Sequence, residues 1–286
     1  MSATLLYGKP IAESIKQELM PEIQNLKSEG INPTLAVILA GGDSASNVYF
    51  KAKERTARDL GITFTARIFA EDAPEKEIVA AIDGFNRDPS THGILVEFPL
   101  PKGLNANKIL SLINPLKDVD GASVISRGTL MRGGSTELLV PVTPLSCLSL
   151  LDAAGIDVAG KKVCLVGRGE TVGIPLLLLL IKRHATVTIC HTKTPDLPQE
   201  TLEADIIVSA AGVPGLLSPQ MLMPGQVVID CGVAQLGDGS IVGDADPRVS
   251  EVVDYLSPVP GGVGALTVTL VMQNLLKAIR LQREES

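Results

Sequence analysis

Tyr49 and Lys53 stand four positions apart in Ser44-Ala-Ser-Asn-Val-Tyr-Phe-Lys-Ala-Lys53, a spacing that puts an aromatic ring and an amine on one face of a helix. A tyrosine ring can stack on a flat heterocycle, and a lysine whose proton affinity is lowered by burial or by cationic neighbours can act as a general base. The plainer reading is an amphipathic helix with solvated lysines, and Lys51, which points away from Tyr49, fits it. Further along, the apolar run Gly93-Ile-Leu-Val96 ends in Glu97-Phe-Pro-Leu-Pro101, and Asp118 and Asp120 flank Val119 in the turn Lys117-Asp-Val-Asp-Gly121. Ends of strands are where open α/β sheets place ligands. Acids in loops are more often only solvated, so Asp120 needs a second argument.

A different chemistry is written in Val166-Gly-Arg-Gly-Glu-Thr-Val-Gly173. It follows a strand pattern and opens a helix, where a glycine-rich turn lets backbone N–H groups and the helix N-terminus approach a pyrophosphate. The spacing is GxGxxxG rather than GxGxxG, so a tight turn with no ligand competes evenly with the nucleotide reading. Arg168 tips the balance, because a guanidinium in this loop can grip an adenosine 2′-phosphate in a bidentate contact and favours NADP over NAD. Its plainer role is an ion pair with Glu170. Thr192, just beyond the next strand, could donate to the same phosphate or simply close a turn. Pro258-Val-Pro-Gly-Gly-Val-Gly-Ala-Leu-Thr267 fixes a loop whose backbone is open to close approach by a ligand, or else an irregular start to a helix. His92, His184 and His191 have no metal-ligand spacing with one another or with the cysteines. GxSxG and Walker loops are absent from the sequence.

These residues need a frame. Apolar residues recur at helical spacing from Pro10 to Lys27, followed by a strand at Thr34 to Leu39, a helix from Ser44 to Leu60, a strand near Thr63 to Phe69, a helix from Pro74 to Phe85 and the run Gly93 to Val96. Strands separated by helices imply a parallel sheet. Regular alternation breaks between Asn114 and Thr143, the expected interdomain connection, and Thr143 with Pro144 reads as an N-cap and first residue of a linking helix to about Ala154. A second unit runs through strands at Lys161 to Val166, Thr186 to Cys190, Ile206 to Ser209 and Val227 to Asp230, and a last helix covers Leu266 to Leu281. The expected fold is therefore α/β: two three-layer α/β/α domains with a cleft between them, the second Rossmann-like. The first spans 1–140, completed by the C-terminal helix 266–286, and the second spans 141–265.

Composition agrees with such layers. At 286 residues and 45% hydrophobic, with no tryptophan, the core must be built of Leu, Ile, Val and Ala. A net charge of −7 argues against a broad surface for nucleic acid or anionic lipid. Cys147, Cys164, Cys190 and Cys231 are widely spaced without a CxxC pair, and Met1 to Pro10 lack the charged and apolar run of a secretory signal. The expectation is a reduced, cytoplasmic protein. Ile174 to Ile181, the longest apolar stretch, is far short of the ~20 residues of a spanning helix and reads as a helix against a sheet.

Taken together, the segments resemble the methylenetetrahydrofolate dehydrogenase/cyclohydrolase family, which carries a Tyr-x-x-x-Lys helix, an ILVQLPLP strand end, a KDVDG turn, a PCTP connection, a VVGRS-type NADP loop and a PVPGGVGPMT loop. The match runs in order from about Tyr7 to Leu281. The resemblance implies that Tyr49 stacks near the folate, Lys53 is the catalytic base, Asp120 hydrogen-bonds the pterin, and Val96, Glu97, Phe98, Pro260, Gly261, Gly262 and Val263 border the tetrahydrofolate-derived substrate. It implies that Gly167, Arg168, Gly169, Thr192 and Val233 hold NADP, with Arg168 and Thr192 on the 2′-phosphate. It implies hydride loss from the methylene carbon, then opening of the methenyl cation by water to 10-formyltetrahydrofolate, in a homodimer joined through the cofactor domains.

Departures from the family pattern matter. The family has Gln where this chain has Glu97. An anion within ~4–6 Å favours the charged form of an ammonium, so Lys53 is expected to be a weaker base than beside an amide, with the cyclohydrolase step weak or shifted to higher pH. A dehydrogenase without that second step is one alternative, and a nucleotide-sensing protein without catalysis is another, disfavoured by the presence of both Lys53 and Asp120. Shikimate-dehydrogenase-like oxidoreductases would share the nucleotide loop but lack the Tyr-x-x-x-Lys helix and the PVPGGVG loop. Gly169 replaces Ser, Thr192 replaces Ser, Ala234-Gln235 replaces Asn-Arg and Ala265-Leu266 replaces Pro-Met.

Overall fold

The computed structural model describes residues 2–41, 44–132 and 139–285; part of the expected interdomain connection, residues 133–138, lies outside them. In chain order the elements are β1 (Thr4–Leu5), α1 (Gly8–Ser28), β2 (Thr34–Ala40), α2 (Ser44–Leu60), β3 (Thr63–Phe69), α3 (Glu75–Arg87), β4 (Gly93–Val96), α4 (Ala106–Leu110) and α5 (Val124–Thr129). Then come α6 (Val142–Ala153), β5 (Lys162–Val166), α7 (Gly173–Lys182), β6 (Thr186–Cys190), α8 (Leu197–Leu202), β7 (Ile206–Ser209), β8 (Val227–Asp230), β9 (Ala234–Gln235), β10 (Ile241–Val242), β11 (Tyr255–Leu256) and α9 (Val263–Glu284). The chain divides into two compact units, Glu13–Val142 with Val268–Ser286, and Met1–Ala12 with Thr143–Thr267.

The first unit is built on a parallel sheet in the order β3-β2-β4. Every residue of β2 is buried, as expected for a central strand covered on both faces. On one face, Ala36, Ile38 and Ala40 join Ile94 and Val96 against Ile78, Ile82 and Phe85 of α3, three residues on one stripe of that helix. On the other, Gly93 lets α9 approach, since an added Cβ would come within 2.7 Å of Leu275. Two amides fasten α9 here. Asn274 Nδ2 donates to the carbonyls of Val119 (2.8 Å) and Val140 (2.9 Å), and Gln282 Nε2 to those of His92 and Leu116.

The second unit carries a six-stranded sheet in the order β1-β11-β8-β7-β5-β6, with every pairing parallel. Because β6 lies on one side of β5 and β7 on the other, the strand order reverses at β5, where doubly wound sheets open a crevice at their carboxyl ends. Two sequence expectations are corrected. The sequence places residues 1–12 in the first domain, but β1 extends the second sheet by pairing with β11, Thr4 opposite Tyr255, and Met1–Ala12 group with the second unit. Thr143 was expected as an N-cap, yet α6 already includes Val142, which puts Thr143 inside the first turn. Ile174 to Ile181 forms most of α7. Its Leu176, Leu179 and Leu180 are buried while Ile174 and Ile181 are exposed.

Candidate functional site

In the first unit the helical spacing delivers what it implied. Lys53 is buried, its Nζ lies 6.0 Å from the centroid of the Tyr49 ring, and it donates to both oxygens of Glu97 at 2.7 and 2.8 Å. Glu97 is buried too and is held by the sheet: its N–H donates to the Ile38 carbonyl at 2.8 Å, one residue past the end of β4. The Phe98–Pro99 peptide is cis and Phe98 turns outward, 41% exposed, while Val96 stays in the core. Lys51 is exposed, as its position on the helix implied. Burial pushes the Tyr49 phenol up from its ordinary value.

The Lys117–Gly121 turn sorts its own residues into scaffold and chemistry. Lys117 is buried and its Nζ donates to the carbonyls of Phe85, Asn86 and Asp88, satisfying acceptors at the end of α3. Asp118 accepts from the N–H groups of Ala122 and Ser123 and from Ser126 Oγ at 2.6 Å. Val119 is core, and Gly121 has φ +63 with Pro141 N only 2.5 Å from where a Cβ would sit. Ile94 N–H donates to the Lys117 carbonyl at 2.6 Å, so the turn is tied to β4. Asp120 alone of the five has neither a side-chain partner among the described residues nor a place in the core. Part of the residue reaches the surface, but its carboxyl is enclosed. That enclosure, reinforced by Asp118 and Glu97 and opposed by Lys53, pushes it up to about 7. One cation and two carboxyls therefore share this site: an ion pair already closed, and an acid that titrates near neutrality.

In the second unit the candidates fall at the carboxyl ends of parallel strands. Gly167 follows β5 with φ +109, and a Cβ there would lie 2.5 Å from the Ala210 carbonyl oxygen; at Gly173 a Cβ would come within 2.7 Å of Arg168 Cα. Gly169 has open space around it. Two of the three glycines are thus demanded by backbone approach and the third is not. The Ile174 N–H is already given to the Gly169 carbonyl, and Pro175 has none to give, so fewer helix amides face a ligand than the sequence context suggested. Arg168 and Thr192 are exposed and neither has an ion pair or side-chain hydrogen bond among the described residues; the alternative pairing of Arg168 with Glu170 does not form. Val233, 49% exposed, follows the end of β8.

The Pro258–Thr267 segment belongs to this second unit as well, after β11. The Val259–Pro260 peptide is cis, Gly261 has φ +113, and the Gly8 N–H donates to the Gly261 carbonyl at 2.9 Å. Gly262 allows its N–H to reach the Pro258 carbonyl at 2.7 Å, where a Cβ would crowd that oxygen. Pro260 is exposed, whereas Val263 is buried in the first turn of α9. Sequence reasoning missed two organising acids. Asp244 accepts from Ser209 Oγ and the N–H groups of Ala211 and Val213, and Asp230 from those of Gly232, Asp244 and Ala245. Together they shape the loops after β7 and β8. Only their burial marks them, and no local motif does. A cavity of about 550 Å³ borders Asp230, Gly243 and Pro258 but none of the cofactor candidates; Arg168 and Gly169 lie on an exposed loop. Among the described residues no group of His, Cys, Asp and Glu could hold a metal ion.

Comparison with known proteins adds an independent line. Residues 6–120 match the family model described as the tetrahydrofolate dehydrogenase/cyclohydrolase catalytic domain, and residues 141–283 match its NAD(P)-binding domain. A curated relative, bifunctional protein FolD 2 of Desulfitobacterium hafniense, is 47% identical over 284 residues, covering 99% of both chains. The solved bifunctional FolD methylenetetrahydrofolate dehydrogenase/cyclohydrolase of Campylobacter jejuni superposes with a TM-score of 0.94 at 40% identity, covering 98% of this chain and all of that one. The Trypanosoma brucei FolD, solved with NADP cofactor and inhibitor, gives 0.94 at 31% identity over 99% of each chain.

Proposed function

The chain belongs to the tetrahydrofolate dehydrogenase/cyclohydrolase family, and from that premise we propose that it oxidises 5,10-methylenetetrahydrofolate to 5,10-methenyltetrahydrofolate with NADP and hydrolyses the product to 10-formyltetrahydrofolate. The observation that carries this reading is the joint presence of a buried lysine beside a tyrosine ring and an enclosed acid in one unit, and of a glycine-shaped loop with an exposed arginine in the other. NADP supplies the hydride acceptor. The cradle fits it: Gly167 and Gly173 let backbone strands approach without side chains, and Arg168 and Thr192 are free to meet a 2′-phosphate. Val233 and the Pro260–Gly262 backbone would border the bound molecules.

Tyr49 offers its ring as a stacking surface, and Asp120 offers a carboxyl to the polar edge of the pterin. Lys53 holds the Glu97 carboxylate in place and is the candidate base for hydrolysis. Oxidation turns a neutral methylene bridge into a cation, and the Glu97 carboxylate is well placed to tolerate positive charge in a poorly solvated site. Hydrolysis needs a base to take a proton from water. Both oxygens of Glu97 hold N–H bonds of Lys53, so the amine enters that step committed to a partner. The expected outcome is efficient oxidation with slow hydrolysis. Ile174 and Ile181 leave an exposed apolar stripe on α7, which supports the homodimer through the cofactor domain that the resemblance implies. A cytoplasmic setting follows from the same resemblance.

A spectrophotometric assay with methylenetetrahydrofolate and each nicotinamide cofactor tests the reading. NADP should support turnover better than NAD. Arg168→Ala should raise KM for NADP by about tenfold, on the scale of one charge-assisted contact at an exposed site, and leave KM for NAD nearly unchanged. Equal effects on both cofactors would remove Arg168 from the 2′-phosphate.

A further inference from the structure

The cysteines are 84 residues apart in sequence at their most suggestive contact: Cys147 Sγ on α6 lies 3.1 Å from Cys231 Sγ, just past β8. Cys147 is fully buried, whereas Cys231 is partly exposed. Cys147 Sγ also lies 3.3 Å from the Thr143 carbonyl and donates its S–H there, which leaves its lone pairs turned to Cys231. We propose that Cys147 and Cys231 form a reversible intramolecular disulfide, a modification site that fastens α6 to the loop running from β8 through Val233.

The chemistry balances with a small-molecule disulfide as oxidant. Cys231, the less buried residue of the two, loses its proton to solvent and attacks one sulfur of that reagent, giving a mixed disulfide and releasing one thiolate. Cys147 then loses its proton and attacks Cys231 Sγ, closing the protein disulfide and expelling the second thiolate. Two electrons pass from the protein thiols to the reagent, and the two released protons convert the leaving thiolates to thiols. Closure requires the sulfurs to move together by about 1 Å to reach a bond of about 2.05 Å, and the Cys231 side of the pair is loop. The contact with Cys147, burial, and the facing carboxylates of Asp230 and Asp244 all push the Cys231 thiol up. Oxidation should therefore be slow at neutral pH and quicken as pH rises.

Cys164 and Cys190 provide the contrast within the same unit. Their sulfurs are 3.6 Å apart, but both residues are fully buried and sit on the paired strands β5 and β6. No reagent can reach them, and the ladder fixes their separation.

The test uses the full-length protein incubated with excess oxidised glutathione, then alkylated under denaturing conditions and mapped by mass spectrometry. Two of the four cysteines should resist alkylation and appear as a Cys147–Cys231 cross-linked peptide that dithiothreitol removes. Cys147→Ser and Cys231→Ser should each abolish the cross-link and Cys164→Ser should retain it. Four alkylated cysteines, a glutathione adduct that stays on Cys231, or a Cys164–Cys190 cross-link would each overturn the proposal. Its functional half rests on the cofactor reading of Val233: the oxidised protein should show KM for NADP changed by about fivefold or more, reversibly, with Cys147→Ser unresponsive. A mapped disulfide with unchanged KM would overturn that half. Loss of NADP activity in the reduced protein too would instead indict the cofactor reading, so the two failures are distinguishable.

Discussion

The Lys53 site and the Gly167 loop solve opposite problems. Lys53 and Glu97 are charged, buried and bonded to each other, and the order of their site is held by side chains. At Gly167 the order is held by backbone, with glycines where a Cβ would collide and with Arg168 exposed and without an ion pair among the described residues. The first arrangement fixes electrostatics before any ligand arrives. The second fixes shape and leaves charge in reserve. It follows that substitutions in the first region should act through charge and pH, and those in the second through sterics.

The largest effect is expected at Lys53. Lys53→Ala leaves the Glu97 carboxylate buried without its cation, and breaking such a pair costs about 3–5 kcal/mol; denaturant unfolding measures it, and adding Glu97→Gln should recover much of the loss. If the double variant were no more stable than the single one, the pair would not be the organising unit. In the loop, Gly167→Ala combines φ +109 with a 2.5 Å approach to the Ala210 carbonyl and should cost about 2–3 kcal/mol. Gly169→Ala meets open space and should change stability by less than about 0.5 kcal/mol. Similar losses at both would show that the loop is not shaped as described.

Asp120 gives a smaller, pH-dependent signature. Its carboxyl is raised to about 7 in the folded protein from the ordinary 3.8, so the folded state binds this proton more tightly than the unfolded state does. Its stabilising contribution is present below about pH 4 and is lost as pH rises to about 7. Asp120→Asn should therefore gain stability relative to the parent at pH 8 but not at pH 3.5. The gain should be on the order of 2 kcal/mol, less than the full ~1.4 kcal/mol per unit because the residue is partly exposed. A gain independent of pH would contradict the assignment. Glu97→Gln removes one of the anions that raise Asp120 and should move the midpoint below 7.

How much of this was legible in the sequence follows from where each feature gets its energy. Strands β7 and β8 have the bounds their apolar runs suggested, because a buried parallel strand is marked by its own composition, while the edge strand β6 is marked by the alternation in Thr-Val-Thr-Ile-Cys190. The two-residue strands β1, β9, β10 and β11 carry no such mark, since their partners decide them. The Tyr49–Lys53 spacing announced a shared face, and the helix supplied it. Asp118 and Asp120 looked alike in the turn, and only the hydrogen bonds of Asp118 to Ala122, Ser123 and Ser126 separate scaffold from chemistry. Cys147 and Cys231 read as unrelated thiols because nothing local signals a contact across 84 residues.

The most direct measurement compares the two rates of the parent chain with those of Glu97→Gln, following methylenetetrahydrofolate oxidation and methenyltetrahydrofolate hydrolysis separately across pH. If Glu97 occupies Lys53, the variant should hydrolyse at least about tenfold faster at neutral pH, within the 10²–10⁴-fold scale of general base catalysis, while its oxidation rate changes little or falls. An unchanged hydrolysis rate would contradict the account.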